Sequence, residues 1–155
     1  MEIYVYRHAL ADFKVEDPPL TEEGRKQVNE VTLHAKGFGF QPTKICSSPL
    51  VRAKETAEMT RKAVGLESSV VVDECLYGGK KPLAVYSFLK QFKNSDKIAL
   101  VSHQPLIDNL ISDLIKAEKA NIQMLNGAIA AIEVKSKPGK GKGTLIWLAS
   151  PPPAR

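Results

Sequence analysis

The strongest constraint on this chain is the order of its elements. Short apolar runs rich in β-branched and aromatic residues recur at Ile3 to Tyr6, Thr43 to Ser47, Val70 to Val72 and Ile98 to Val101, and each is followed by a segment that reads as helix. Strands covered on both faces read as unbroken apolar runs, and helical crossovers between successive strands leave those strands parallel. The helices are expected from Thr21 to about Lys36, from Ser48-Pro49 to about Val64, from Pro82 to Phe92 and from Pro105 to Lys116. Thr21 is a good N-cap with acidic residues in the turn after it, and Ser48 is a candidate cap with Pro49 at the first helical position, where a missing N–H costs nothing.

The end of the chain breaks the alternation. Ala128 to Val134 and Thr144 to Leu148 are apolar-rich and joined by Lys135 to Gly143, with no helix between them, which reads as a β-hairpin. The fold expected is therefore α/β, a three-layer α/β/α sandwich with a mainly parallel central sheet and a C-terminal β-hairpin at one edge. With 155 residues and 43% hydrophobic content there is side chain enough for one core, so residues 1–150 are expected to form a single domain. Residues 151–155, opening with Pro151-Pro152-Pro153, are expected to be a stiff tail without a core role.

Bulk properties exclude several functional classes. No run approaches the roughly 20 apolar residues that cross a bilayer, and Met1 to His8 lacks the pattern of a signal peptide, so neither membrane nor export is expected and the cytoplasm is the default compartment. Cys46 and Cys75 have no metal or redox spacing and read as free thiols filling the core. The net charge of +5 raises nucleic acid as a partner, but no basic cluster is interleaved with aromatics on a recognisable module. Lys135, Lys137, Lys140 and Lys142 instead crowd the hairpin loop, where a solvated role is expected.

Ligands of parallel α/β sheets bind at the carboxyl ends of the strands. Arg7-His8 ends the first strand, Ser47-Ser48 the second and Ser102-His103 the fourth, so two of the chain's three histidines fall at corresponding ends. Arg52, in the first turn or so after Ser48-Pro49, adds a second guanidinium beside Arg7. Planar forks of this kind match phosphate oxygens, so the pattern points to phosphoryl binding beside imidazole. His34 lies within the first helix and reads as a surface or partly buried residue; Ser47, Ser48 and Ser102 read as turn and capping groups.

These residues carry a resemblance. Arg7-His8-Ala9, the run Ser47-Ser48-Pro49-Leu50-Val51-Arg52-Ala53-Lys54-Glu55-Thr56-Ala57, and Ser102-His103 after Ile98 to Val101 resemble the histidine phosphatase superfamily. Pro19-Leu20-Thr21-Glu22-Glu23-Gly24, Ser102-His103-Gln104-Pro105-Leu106 and Ala128-Ile129-Ala130 are most similar to its short SixA-type phosphohistidine phosphatases. The family usually has glycine where this chain has Ala9, a departure expected to alter loop freedom more than chemistry.

The resemblance implies that His8 is a nucleophile that becomes a covalent phosphohistidine, with Arg7, Arg52 and His103 holding the three equatorial oxygens. Glu74, before Tyr77-Gly78-Gly79, matches the position of the family's general acid; its other reading is a solvated carboxylate at a strand end. No metal and no cofactor are implied. His8 needs its second ring N–H held by a fixed acceptor, expected to be a backbone carbonyl.

Only Cys75 to Lys81 separate the third strand from the next helix, too short for a large lid. An open site admits a side chain presented by another protein, so the expected partner is a phosphorylated protein and the chain itself is expected to be a monomer. A small-molecule phosphomonoesterase of the same mechanism and a non-catalytic phosphate-binding module are the alternatives.

Overall fold

A computed structural model describes residues 1–152. Its elements in chain order are β1 Glu2–Arg7, α1 Glu22–Lys36, β2 Lys44–Ser47, α2 Val51–Val64, β3 Val71–Val72, a 3₁₀ turn Glu74–Leu76, α3 Pro82–Leu89, β4 Lys97–Ser102, α4 Leu106–Leu114, β5 Ile129–Val134 and β6 Gly143–Ala149. They form a six-stranded sheet in the order β3-β2-β4-β1-β5-β6. The first four strands are parallel, β5 runs antiparallel to β1, and β6 returns antiparallel along β5. The expected sandwich and its edge hairpin are both present.

Strand alternation divides the core into two layers. Ile3, Val5, Ile98 and Leu100 face Val85, Leu89, Leu106 and Leu110 of α3 and α4. Tyr4, Tyr6, Ala99 and Val101 face the side of α1 and α2, where the tyrosine rings are accommodated by Ala35, Ala53, Ala57 and Ala131. Large and small residues thus interdigitate across that layer, as close packing requires. No helix among the described residues is long and apolar enough to cross a membrane.

Helix α1 begins as expected: Thr21 accepts a hydrogen bond from Gly24 N at 2.9 Å. A side chain at Gly24 would strike the Leu10 carbonyl, since an added Cβ would lie 2.1 Å from that oxygen. Helix α2 starts later than Ser48-Pro49 predicts, with Leu50 at the cap position and no side-chain bond of its own. The cap comes from a distant loop instead: Asp17 Oδ1 accepts from Val51 N at 2.9 Å. Ser48 Oγ accepts only a long bond from Leu50 N, at 3.4 Å, and is shared with the site described below. Helix α3 closes at Leu89, and its expected last residues to Phe92 continue as a turn.

The proline segment also departs from expectation. Pro151 is buried, and its Cγ would lie 3.0 Å from a Cβ added to Gly127, so it closes over the segment entering β5. Pro153 and the residues after it lie outside those described.

Candidate active site

Register brings the polar strand ends level. Arg7 pairs with Ser102 and Ser47 with Val101, so His8, Ser48 and His103 leave three neighbouring strands at nearly the same height. Backbone bonds lock the level: His8 N donates to Ser102 O at 3.1 Å and Ser48 N to Val101 O at 3.1 Å. The His8 and His103 rings lie 4.9 Å apart between centroids, tilted by 49°. Each residue is only 4% exposed.

The two ring nitrogens of His8 are differently occupied. Nδ1 lies 2.7 Å from Ala9 O, which as a carbonyl can only accept, so Nδ1 carries the proton. Nε2 is left with its lone pair, and Arg52 Nε donates to it at 3.3 Å. The acceptor for His8 is therefore the carbonyl of the very next residue. Helix α2 secures it: Thr56 Oγ1 accepts from Ala9 N at 3.2 Å while donating to Arg52 O at 2.8 Å, one turn back.

His103 is fixed on the opposite side. Its Nε2 is bonded to Ser48 Oγ at 2.5 Å, and its buried Nδ1 has no protein partner among the described residues. Ser102 is used structurally, donating to Leu76 O. Gly78 packs against this turn, where an added Cβ would lie 2.6 Å from Gln104 O and 3.1 Å from His103 Cβ. The turn after β3 thus lies against β4's end and admits no side chain at Gly78.

The electrostatics favour neutral imidazoles. Burial, first, and the nearby guanidiniums lower His8 to about 4, although its bond to Ala9 opposes them. Burial, then His8 and both arginines, lower His103 to about 3. Burial also lowers the guanidinium pKa of Arg7 and Arg52, but from so high a starting value that both remain cations at neutral pH. The result is two uncharged rings between two positive forks, an environment for an anion.

Of the residues singled out in the sequence, His8, His103 and Arg52 are brought into one cluster, and Arg7 borders it from the end of β1. Arg7 Nη1 donates to Met124 O at 2.8 Å, and its buried Nε has no protein partner among the described residues. Glu74 is exposed at the start of the 3₁₀ turn and makes no hydrogen bond to the two histidines or the two arginines among the described residues. His34 is exposed and lies 4.9 Å, edge to face, from Phe38. Ser48 is the notable addition: it reads locally as a helix cap, and no pattern in its own segment reveals that a histidine 55 residues away will claim its hydroxyl. Asp17, Thr56 and the Met124 to Gly127 segment also hold the site, and none has a local signature.

Comparison with known proteins agrees with this geometry. The model of the histidine phosphatase superfamily (branch 1) matches residues 3–77. Phosphohistidine phosphatase SixA of Escherichia coli (strain K12) is 27% identical over 157 aligned positions, covering 97% of this chain and 94% of that protein. The structure of the protein histidine phosphatase SixA complexed with tungstate superposes with a TM-score of 0.85 at 26% identity, covering 97% of each chain. A phosphoserine phosphatase mutant from Entamoeba histolytica shares the fold at 20% identity and a TM-score of 0.70, over 95% of each chain. The matched family model, the end-to-end likeness to SixA and the paired histidines at neighbouring strand ends together make the chain similar to the histidine phosphatase superfamily, and within it to the short SixA-type proteins.

Proposed function

We propose that this protein is a phosphohistidine phosphatase that removes the phosphoryl group from a histidine of a partner protein through a covalent intermediate on His8. The observation that carries the reading is the pair of bonds at His8. With Nδ1–H given to Ala9 O, the lone pair of a neutral ring is presented at Nε2 beside a guanidinium. A histidine at that position needs no further base to be nucleophilic.

In the first step the Nε2 lone pair attacks phosphorus in line while the P–N bond to the substrate imidazole breaks. The bonding pair leaves on that nitrogen, and a substrate ring protonated at its other nitrogen departs neutral. Phosphohistidine on His8 retains its Nδ1 proton on Ala9 O. In the second step a water oxygen bonds to phosphorus, the P–Nε2 bond breaks, and the water protons remain with the released phosphate and solvent. Arg7, Arg52 and His103 offset charge on the equatorial oxygens, which is the main task in phosphoryl transfer. Two buried groups without a protein partner among the described residues, Arg7 Nε and His103 Nδ1, support this assignment, since a phosphoryl group supplies acceptors. The guanidiniums already provide the positive charge for which other phosphatases use a metal, so activity is expected to persist in EDTA.

The test is acid-labile labelling. Incubation with a radiolabelled phosphohistidine protein, rapid quenching and immediate gel separation will show label on wild type and none on His8→Ala, with phosphate release lost in that variant. Label persisting on His8→Ala would overturn the assignment. Efficient turnover of small phosphate esters with none of phosphohistidine protein would replace the substrate class.

Glu74 sharpens the leaving-group argument. An alkoxide must be protonated as it departs, whereas an imidazole whose conjugate acid has a pKa near 6.5 leaves easily. Glu74→Gln is therefore expected to slow alkyl phosphate hydrolysis several-fold more than phosphohistidine hydrolysis, read as the ratio of the two kcat/KM values. Equal losses would remove Glu74 as the acid.

A further inference from the structure

The wall of the site on the Arg7 side is the irregular segment entering β5, and its polar groups are engaged one after another. Met124 O accepts from Arg7 Nη1 at 2.8 Å, and Met124 N donates to Asp108 Oδ1 at 3.0 Å. Asn126 Nδ2 donates to His8 O at 3.3 Å, and Gly127 N reaches both Arg7 O and His8 O, at 3.2 and 3.1 Å. The second carboxylate oxygen of Asp108 accepts from Gln104 Nε2 at 2.7 Å, and that same amide lies 3.4 Å from Met124 O. Met124, 1% exposed, is thus gripped at both backbone polar groups as well as by the core.

The chemistry of this relay is informative. A carboxylate placed directly on Arg7 would compete with a phosphoryl dianion and cancel the charge that attracts it. A carbonyl orients the guanidinium and leaves its charge intact. No ion pair joins Asp108 to Arg7 among the described residues, so the carboxylate holds Arg7 through Met124 and reaches its charge only through space.

We propose that Asp108, assisted by Gln104, is a positioning residue for phosphoryl binding: by anchoring Met124 it holds the carbonyl that aims Arg7 and leaves Arg7 Nε free for a phosphoryl oxygen. The proposal rests on the reading of Arg7 as a phosphoryl ligand. Asp108 also stands in the first turn of α4, where any carboxylate is favourable, so a purely structural role has to be separated from this one.

Inorganic phosphate binding measured by titration calorimetry makes the separation. Asp108→Ala is expected to weaken phosphate about tenfold, the scale of coupling between residues in one network. Asp108→Asn keeps an acceptor for Met124 N and removes a negative charge from beside an anion site, so it is expected to bind within about twofold of wild type or more tightly. In an Arg7→Lys background, which has no fork to aim, Asp108→Ala is expected to change affinity by less than about twofold. If Asp108→Ala does not fold, Gln104→Ala takes its place in the same cycle, with a loss in the same direction. Equal losses in both backgrounds, unchanged affinity in wild-type background, or an Asn variant as weak as Ala would each overturn the proposal. Failure of the wild-type protein to bind phosphate, with no label on His8, would instead overturn the underlying reading of the site and the proposal with it.

Discussion

The two arginines of the site are held in opposite ways. Arg7 ends a central strand, and its fork is fixed by the backbone carbonyl of a residue packed into the core. Arg52 lies on α2's first turn, with Asp17 at 4.0 Å and the ring of Phe13 5.0 Å from its guanidinium carbon, and Phe13 is 66% exposed. Its Nε meanwhile caps the lone pair of His8. One side of the site is anchored through buried structure; the other leans on a surface loop and, if His8 attacks as proposed, has to release its Nε2 first. On the proposed mechanism, Arg7 is a fixed receptor and Arg52 an adaptable one, exchanging an imidazole for a phosphoryl oxygen.

The largest effect expected from this contrast is kinetic. Arg7→Lys, which loses an oriented fork, should lower kcat/KM on a phosphohistidine protein roughly 10²–10³-fold, whereas Arg52→Lys, retaining a mobile cation, should cost roughly tenfold. Steady-state assays of both variants decide it, and the reverse order would break the comparison.

Stability should divide along the same line. Met124→Ala opens a cavity behind Arg7 and should cost about 2–5 kcal/mol in denaturant unfolding. Phe13→Ala removes an exposed ring and should stay within about 0.5 kcal/mol of wild type. Comparable losses would show that the loop over Arg52 is as integral as the wall at Arg7.

The smallest effect is on proton uptake. Both guanidiniums lower the pKa of His8, with the contribution of Arg52 larger than that of Arg7. In NMR pH titrations, His8 should therefore rise from about 4 further in Arg52→Gln than in Arg7→Gln. The linked stability has a definite sign. Unfolded histidine takes its proton near 6.5 and the folded rings only near 4 and 3, so the unfolded chain binds more protons between those values. Stability from these two residues is full above about pH 6.5 and is lost as the pH falls, through about 4 for His8 and about 3 for His103. Replacing both histidines with Gln should flatten that slope.

Much of the architecture can be read locally because its causes are local. Ile3 to Tyr6 and Ile98 to Val101 are apolar on both faces, as strands between two helical layers must be, and Thr21 caps its own helix within three residues. The same runs locate Arg7, His8 and His103, since a polar residue directly after a doubly buried strand has to emerge at the sheet's edge. The start of α2 could not be read this way: Ser48 has the chemistry of a cap, and so does Asp17 from another loop, and only packing determines which is used.

The amino-acid sequence by itself therefore determines the layered α/β sheet, its hairpin edge and the gathering of two histidines and two arginines at one end, because hydrophobic pattern and strand order are properties of short windows. Only the tertiary structure decides which atom of each residue is free. That Thr56 holds the Ala9 peptide whose carbonyl takes the His8 proton, that Ser48 reaches His103, and that Asp108 reaches Arg7 through Met124 all follow from strand register and loop path, which hydrogen-bond groups far apart in the chain and leave no trace in the residues beside them.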